Sequence, residues 1–312
     1  MNIFTKARKI NGIFLLDKPT GISSNQALQI TKKIFSAMKA GHTGSLDPLA
    51  TGILPICFGE ATKFSKYLLK SDKKYRVIAK LGEETSTGDS NGKILNFFNI
   101  EFNSIEYNKS LEKLKGEIIQ IPPMYSAIKY KGIPLYKYAR KGIKVPIRSR
   151  LVKVYKLISL YRYKNIIELE ILCSSGTYIR SIIENLGKLL KCGAHVVFLR
   201  RTKVFSYSSN LSITIDQLNY FKNKYKKNNF VLFKKKIEKF LIPIVSIFSS
   251  FPKICLSTNN LFFIKNGRAI KLITKLKSCL ICILTKDKKF VGIGKLNKKK
   301  YLFPHKLINY NT

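Results

Sequence analysis

One stretch of the sequence combines a carboxylate with an unusual density of glycine. GHTGSLDPLATG (41–52) carries Asp47 among three glycines, and a backbone without Cβ atoms allows a ligand to approach closely. A carboxylate in such a loop could act as a nucleophile or as a base. A simpler role fits the same residues, because Asp47 could cap a short helix that begins at Pro48. Taken alone, the residues leave both interpretations open.

Four further blocks bring charged and aromatic residues to turns or to the ends of predicted elements. They are GIFLLDKPTGISS (12–24), KYRVIAKLG (74–82) with TSTGDSNG (85–92), SSGTYIRSI (174–182) and GAHVVFLRRT (193–202). Together with residues 41–64, these blocks resemble, in order and spacing, the motifs of the TruB family of tRNA pseudouridine synthases. The resemblance covers about 190 residues. It implies an enzyme that isomerises uridine 55 in the T-arm loop of tRNA.

The resemblance also implies a role for individual residues. Asp47 would be the catalytic residue, and Arg180 would act with it as its ion-pair partner. Tyr75 would also be catalytic, with its ring stacked on the target base and its phenol close to C5, where a proton must leave. Contacts with the substrate are expected from Lys18, His42, Tyr75, Tyr178 and Leu199. Two ordinary alternatives remain open: Tyr75 as a core tyrosine, and Arg180 as a helix-surface arginine paired with Glu184.

The implied reaction is redox-neutral, so we expect no cofactor. We also expect no metal, because the three histidines (His42, His195 and His305) are scattered and the single CxxC, at Cys279 and Cys282, lies in an apolar run. No second carboxylate is expected beside Asp47, which argues against a hydrolysis of the glycosidase type.

The periodicity of apolar residues predicts an α+β fold. Ser23 and Gln26 form a capping-box pattern that predicts a helix start, and residues 74–82 alternate as a half-buried strand does. A strand over 165–172 and a helix from about 177 to 190 follow. We expect a catalytic domain over 1–250, with a mixed or antiparallel central sheet.

Two other regions have a distinctive composition. Residues 123–150 carry eight basic residues, no acidic ones and four tyrosines, which predicts a long, mobile loop that grips RNA. Residues 251–312 contain several short apolar runs separated by turn residues, which predicts a small all-β domain. That domain resembles the PUA-type RNA-binding domain, chiefly through IKNGRAI and FVGIGKL. Residues 221–240 are Lys-rich and compatible with helix.

The charge of the whole chain favours a polyanionic partner. Fifty-eight Lys and Arg stand against 17 Asp and Glu, a formal net charge of +41. No run approaches the roughly 18 apolar residues of a membrane span, and no signal peptide is recognisable, so we expect a cytoplasmic protein. We expect a monomer whose partner is the T-arm stem-loop of tRNA. A non-catalytic RNA-binding or RNA-folding protein, and a guide-RNA-dependent synthase related to dyskerin, are the alternatives.

Overall fold

The computed structural model describes residues 7–226 and 230–309, which form an α+β fold. The strands are β1 (Gly12–Lys18), β2 (Ala40–His42), β3 (Thr51–Phe58), β4 (Lys73–Leu81), β5 (Glu83–Thr85), β6 (Ile94–Phe97), β7 (Gly116–Gln120), β8 (Lys129–Tyr130), β9 (Ile133–Pro134), β10 (Arg150–Tyr163), β11 (Ile166–Cys173), β12 (Ala194–Val204), β13 (Tyr207–Ser208), β14 (Ile213–Thr214), β15 (Lys253–Leu256), β16 (Ile270–Lys271), β17 (Leu280–Thr285), β18 (Phe290–Leu296) and β19 (Tyr301–Leu307). The helices are α1 (Ser24–Phe35), α2 (Ser65–Leu69), α3 (Ser104–Lys113), α4 (Leu135–Arg140), α5 (Ile179–Leu189), α6 (Ile215–Lys226), α7 (Phe230–Glu238) and α8 (Thr258–Lys265). Short 3-10 turns lie at Gly59–Phe64, Ser209–Leu211 and Ile244–Phe248.

A ten-stranded mixed sheet forms the centre of the molecule. Eight of its strands follow the order β14-β1-β3-β12-β4-β11-β10-β7, with β2 on β3 and β13 on β12. The pairs β1–β14 and β3–β12 are parallel, and the other pairs are antiparallel. The prediction of a mixed central sheet is therefore confirmed.

The side chains of β4 alternate between the two faces of this sheet, as the sequence predicts. Tyr75, Val77, Ala79 and Leu81 are buried in the core beneath α5, whereas Arg76 on the opposite face is exposed. On the other half of the sheet, α1 packs against β1 and β3, and its capping box forms as predicted between Ser23 and Gln26. Helix α1 thereby holds β3, the strand that follows the glycine-rich loop.

The Lys-rich stretch 221–240 is helical over the residues that the structure describes, since α6 ends at Lys226 and α7 begins at Phe230. Residues 227–229 lie outside the described part. Phe233 and Ile237 of α7 are buried in the same core cluster as α1, so this helix has an anchored face as well as a basic one.

The basic segment 123–150 has more local structure than a long loop. The strands β8 and β9 form a small hairpin whose turn residues, Lys131 and Gly132, both have positive φ, as a tight two-residue turn requires. Helix α4 follows directly. The rings of Tyr130 and Tyr138 then meet edge-on with centroids 6.0 Å apart.

The C-terminal residues form a separate five-stranded sheet in the order β15-β17-β18-β19-β16. The expected all-β domain contains one helix, because the start of IKNGRAI belongs to α8, whose N-terminus is capped by Ser257, and only its last residue enters the sheet in β16. Buried side chains of β17 and β18 belong to the same hydrophobic core cluster as side chains of β1 and β3 in the larger sheet. Phe290 lies 5.6 Å from Phe64 and 5.5 Å from Phe248, measured between ring centroids.

Candidate active site

A cavity of about 370 Å³ opens where the glycine-rich loop meets β4, β12 and the start of α5. Five of the seven predicted site residues line it: Asp47, Tyr75, Tyr178, Arg180 and Leu199. These residues come from four elements that are separated by up to about 150 positions in the chain. The fold therefore brings together most of the predicted site.

The loop that carries Asp47 is not a helix start. The Ala50 N–H donates to the Asp47 carbonyl at 3.0 Å, which closes a turn, and β3 begins at Thr51. Gly52 has a φ of +100°, and a Cβ there would lie 2.2 Å from the carbonyl oxygen of Arg201. Glycine is required at this position because the backbones of β3 and β12 lie too close there for a side chain. Asp47 therefore lies on a short loop that ends at this strand pair.

Arg180 is buried, with 3% of its side chain exposed, and its Nε lies 3.0 Å from Oδ2 of Asp47. The two terminal nitrogens donate to the carbonyls of Thr87, at 2.8 Å, and Tyr125, at 2.7 Å. The Nε–H is not aligned for a hydrogen bond with Asp47, so their contact is an ion pair. Arg180 is thus fixed by two loops and is not a surface arginine paired with Glu184.

A second carboxylate lies close to this ion pair, contrary to the expectation from the sequence. Oδ2 of Asp89 is 3.8 Å from Nη1 of Arg180, and the Asp89 side chain is 7% exposed. Asp89 belongs to the TSTGDSNG block, so its type and position were visible in the sequence. The sequence did not show that Asp89 lies near Asp47, because only folding brings these two segments to the guanidinium of Arg180.

The pKa of Asp47 is set by partial burial and by three neighbouring charges. About a third of its side chain is exposed, yet it lies at the wall of a cavity, and this desolvation raises the pKa of Asp47. The positive charge of Arg180 lowers the pKa, Asp89 raises it, and Lys18 lowers it. The net direction is upward, so the ionised form of Asp47 depends on the neighbouring cations.

Tyr75 and Leu199 form an apolar wall of the cavity. They lie on the adjacent strands β4 and β12 and are 7% and 5% exposed. Burial raises the pKa of the Tyr75 phenol, and the nearby Arg201 opposes that shift. Tyr75 is therefore both a core residue and a cavity residue, so the two interpretations of its alternating position are compatible.

Tyr178 is held in place through its backbone. The buried side chain of Gln120 accepts from the Tyr178 N–H at 2.8 Å and donates to its carbonyl at 3.0 Å. The guanidinium of Arg150 lies 5.6 Å from the centre of the Tyr178 ring. Gln120 carried no signal in the sequence, since a single glutamine in an apolar strand has no distinctive spacing.

Two predicted substrate contacts lie outside the cavity wall. Lys18 is completely buried, and its ammonium donates to the carbonyls of Pro19, Ile22 and Pro48. His42 lies on β2, and its buried Nδ1 has no hydrogen-bond partner among the described residues. Burial lowers the pKa of both side chains, to about 8 for Lys18. The geometry gives Lys18 a structural role, because it ties the β1–α1 turn to the residue after Asp47.

Arg201 and Lys73 also line the cavity, and neither was predicted as a site residue. Both are at least 95% buried. Arg201 stands two positions after Leu199 in the GAHVVFLRRT block, and this spacing on one strand was the available signal.

Among residues 7–226 and 230–309, no three His, Cys, Asp or Glu side chains are grouped as metal ligands would be. No helix in that part is long and apolar enough to cross a membrane.

Comparisons with known proteins identify the family of this chain. Residues 32–179 match the model for the N-terminal domain of TruB family pseudouridylate synthases, and residues 180–249 match the tRNA pseudouridylate synthase B C-terminal domain. The chain is 48% identical over 307 residues to tRNA pseudouridine synthase B of Buchnera aphidicola, covering 98% of both chains. It is 45% identical to the protein of that name from Photorhabdus laumondii, covering 97% of both.

Solved structures share the fold. A chain in the crystal structure of a Cbf5–Nop10–Gar1 complex matches with a TM-score of 0.68 and 26% identity, covering 93% of this chain and 79% of that one. A chain from an H/ACA RNP bound to a substrate RNA matches with a TM-score of 0.70 at 23% identity, which bears on the fold alone. From the matched domains and the near-complete coverage of its relatives, we conclude that the chain belongs to the TruB family of pseudouridylate synthases.

Proposed function

We propose that this chain is a tRNA pseudouridine synthase that isomerises uridine 55 in the T-arm loop and uses Asp47 as its catalytic residue. One observation carries the proposal: the Asp47 carboxylate, paired with the buried Arg180, lines a cavity together with Tyr75, Tyr178 and Leu199. The relatives named tRNA pseudouridine synthase B support tRNA as the substrate.

The arrangement suits a reaction that moves one glycosidic bond. The N1–C1′ bond of uridine breaks, the base turns, and C5 forms a new bond to C1′. The proton on C5 then leaves and N1 takes a proton, so that the reaction is balanced without a redox partner. Asp47 acts either by attack on the ribose or as a base at C2′, and both routes need the ionised carboxylate that Arg180 favours.

The apolar wall formed by Tyr75 and Leu199 would hold the base during this rearrangement. A uridine within a folded loop must leave its stack to reach Asp47, and a half-enclosed cavity lined by Tyr75 and Leu199 suits a flipped base. The phenol of Tyr75 would stand near C5, where the proton leaves. His42, on the strand before the catalytic loop, remains our candidate for contacting the flipped nucleotide or filling the space it vacates.

Residues 123–150 would grip the RNA beside the cavity. The exposed Lys131 lies over the ring of Tyr130, and Arg140 lies over Tyr136. The carbonyl of Tyr125, at the start of this segment, accepts a hydrogen bond from Arg180. Phosphate binding by this segment would therefore act on a residue that is hydrogen-bonded to Arg180, the ion-pair partner of Asp47.

A guide-RNA-dependent synthase is the second candidate, because a chain of an H/ACA RNP shares the fold. The experiment that separates the candidates uses the purified chain alone with a T-arm stem-loop RNA, followed by detection of pseudouridine at the target. We expect full conversion, no conversion when the target uridine is replaced by cytidine, and none by Asp47→Asn. Asp47→Asn should bind the RNA within a few-fold of the unaltered chain, because the change keeps the side-chain shape. Conversion only after addition of a guide RNA and protein partners would overturn the proposal. Binding without conversion under every condition would favour the non-catalytic RNA-binding alternative.

A further inference from the structure

Arg201 is a fully buried cation with an unusual set of partners. Its relative exposure is 0%, and its Nε donates to the carbonyl of Ile53 at 2.8 Å. Its Nη2 donates to the carbonyl of Gly44 at 3.0 Å. None of the ion pairs among the described residues includes Arg201. A buried charge without a carboxylate partner costs free energy, and the hydrogen bonds to these two carbonyls offset part of that cost.

The two carbonyls define what Arg201 holds. Gly44 and Ile53 are the two ends of the segment that carries Asp47, so one guanidinium joins both ends of this segment to β12. The planar, forked guanidinium is suited to such a bridge, because it offers two donors at a fixed spacing that a lysine ammonium lacks.

Arg201 also faces Tyr75. The two residues are direct partners in the antiparallel pairing of β12 with β4, and side chains at paired positions stand on the same face of the sheet. Both line the cavity. The charge of Arg201 lowers the pKa of the Tyr75 phenol against the effect of burial, and it also lowers the pKa values of Lys18, Lys73 and His42. The charge of Arg201 therefore influences the pKa values of four ionisable side chains on this side of the cavity.

We propose that Arg201 is a positioning residue that holds the Asp47 segment and the Tyr75 phenol in one arrangement, and thereby assists removal of the C5 proton. The inference rests on the proposed function. After C5 has bonded to C1′, the C5–H bond breaks and its electron pair restores the C5–C6 double bond. The phenol oxygen of Tyr75 accepts this proton as its own O–H proton passes to water, and N1 takes a proton from water as the electron pair of the C6–N1 double bond returns to N1.

The test compares Arg201→Met and Arg201→Lys with the unaltered chain. Single-turnover rates are measured on a T-arm stem-loop with uridine or 5-deuterouridine at the target, and RNA affinity is measured separately. We expect Arg201→Met to lose about 100-fold in rate with affinity within about three-fold, and to show a larger deuterium isotope effect. Arg201→Lys should recover about ten-fold of the rate, because it keeps the charge but forms only one of the two ties. The folded state of each variant is checked by thermal unfolding.

Arg200→Lys is the matched control, because Arg200 is adjacent but makes a two-pronged contact with Asp17. It should leave the isotope effect unchanged. An isotope effect that is equal in the unaltered chain and in both Arg201 variants would overturn the proposal, as would a rate loss explained by RNA affinity. If Arg201→Met does not fold, the isotope effect of Arg201→Lys decides the matter. Failure of the unaltered chain to convert the uridine would instead contradict the proposed function.

Discussion

At the scale of single residues, Arg180 lies between Asp47, Asp89 and the cavity, and its positive charge favours the ionised form of Asp47. Removing the guanidinium takes away the largest influence that lowers the pKa of Asp47, so that the pKa should rise further. Arg180→Ala should therefore be least active at low pH and recover as pH rises, whereas Arg180→Lys should lie between it and the unaltered chain. A pH–rate profile for Arg180→Ala parallel to that of the unaltered chain would show that Arg180 does not tune Asp47.

The stability of the same variant should also change. Asp89 and the Asp47 carboxylate would both lose their cation, and breaking a buried ion pair costs on the order of 3 kcal/mol, less where water enters. Water does reach Asp47, so Asp89 should account for most of the loss. Chemical denaturation of Arg180→Ala, with and without Asp89→Asn, would measure this contribution.

The raised pKa of Asp47 predicts how stability depends on pH. Between the value of the unfolded chain and the higher value of the folded chain, the folded chain binds more protons. The free energy of unfolding contributed by Asp47 should therefore fall as pH rises through that window. Asp47→Asn removes this titration, so the unaltered chain should lose stability relative to the variant with rising pH. A difference that stays constant in denaturation experiments from about pH 4 to 8 would contradict the assignment.

At the scale of elements, Lys18 connects the β1–α1 turn to the catalytic loop through the carbonyl of Pro48. Its pKa is lowered from 10.5 to about 8 by burial, so the unfolded chain binds more protons between those values. Stability contributed by this residue should rise with pH from about 8 to 10.5, by roughly 3 kcal/mol in all. Urea denaturation of Lys18→Met should lack this rise when it is compared with the unaltered chain. Retention of the same slope would place the titration on another group, such as Lys73.

At the scale of the whole molecule, the excess positive charge is unevenly distributed. Residues 123–150 carry eight basic residues and no acidic ones, whereas residues 83–117 carry four basic and seven acidic ones. Neutralising four exposed cations of the basic segment, Lys129, Lys131, Arg140 and Lys141, should weaken tRNA binding. It should also reduce the slope of log affinity against log salt by roughly one for each phosphate that the segment no longer binds.

The matched control changes the same number of charges in the acidic segment, at Lys93, Lys109, Lys113 and Lys115. We expect this variant to keep the salt dependence of the unaltered chain, because neighbouring carboxylates offset those lysines. Equal weakening in both variants would mean that net charge alone governs binding. An unchanged slope after the change in the basic segment would place the RNA grip elsewhere.

The sequence alone determined the local patterns and the family. The alternation that buries Tyr75 and the capping box at Ser23 depend on neighbours within a few positions, so they could be predicted without the fold. The tertiary structure decided which distant groups share one environment. Asp89 meets Arg180 across 91 positions, and Arg201 bridges Gly44 and Ile53 from a strand about 150 residues away. Such contacts leave no periodic signal, because sheet order and loop closure alone bring those atoms together. The hydrogen bond from Lys18 to the carbonyl of Pro48, 30 positions away, depends on the fold for the same reason.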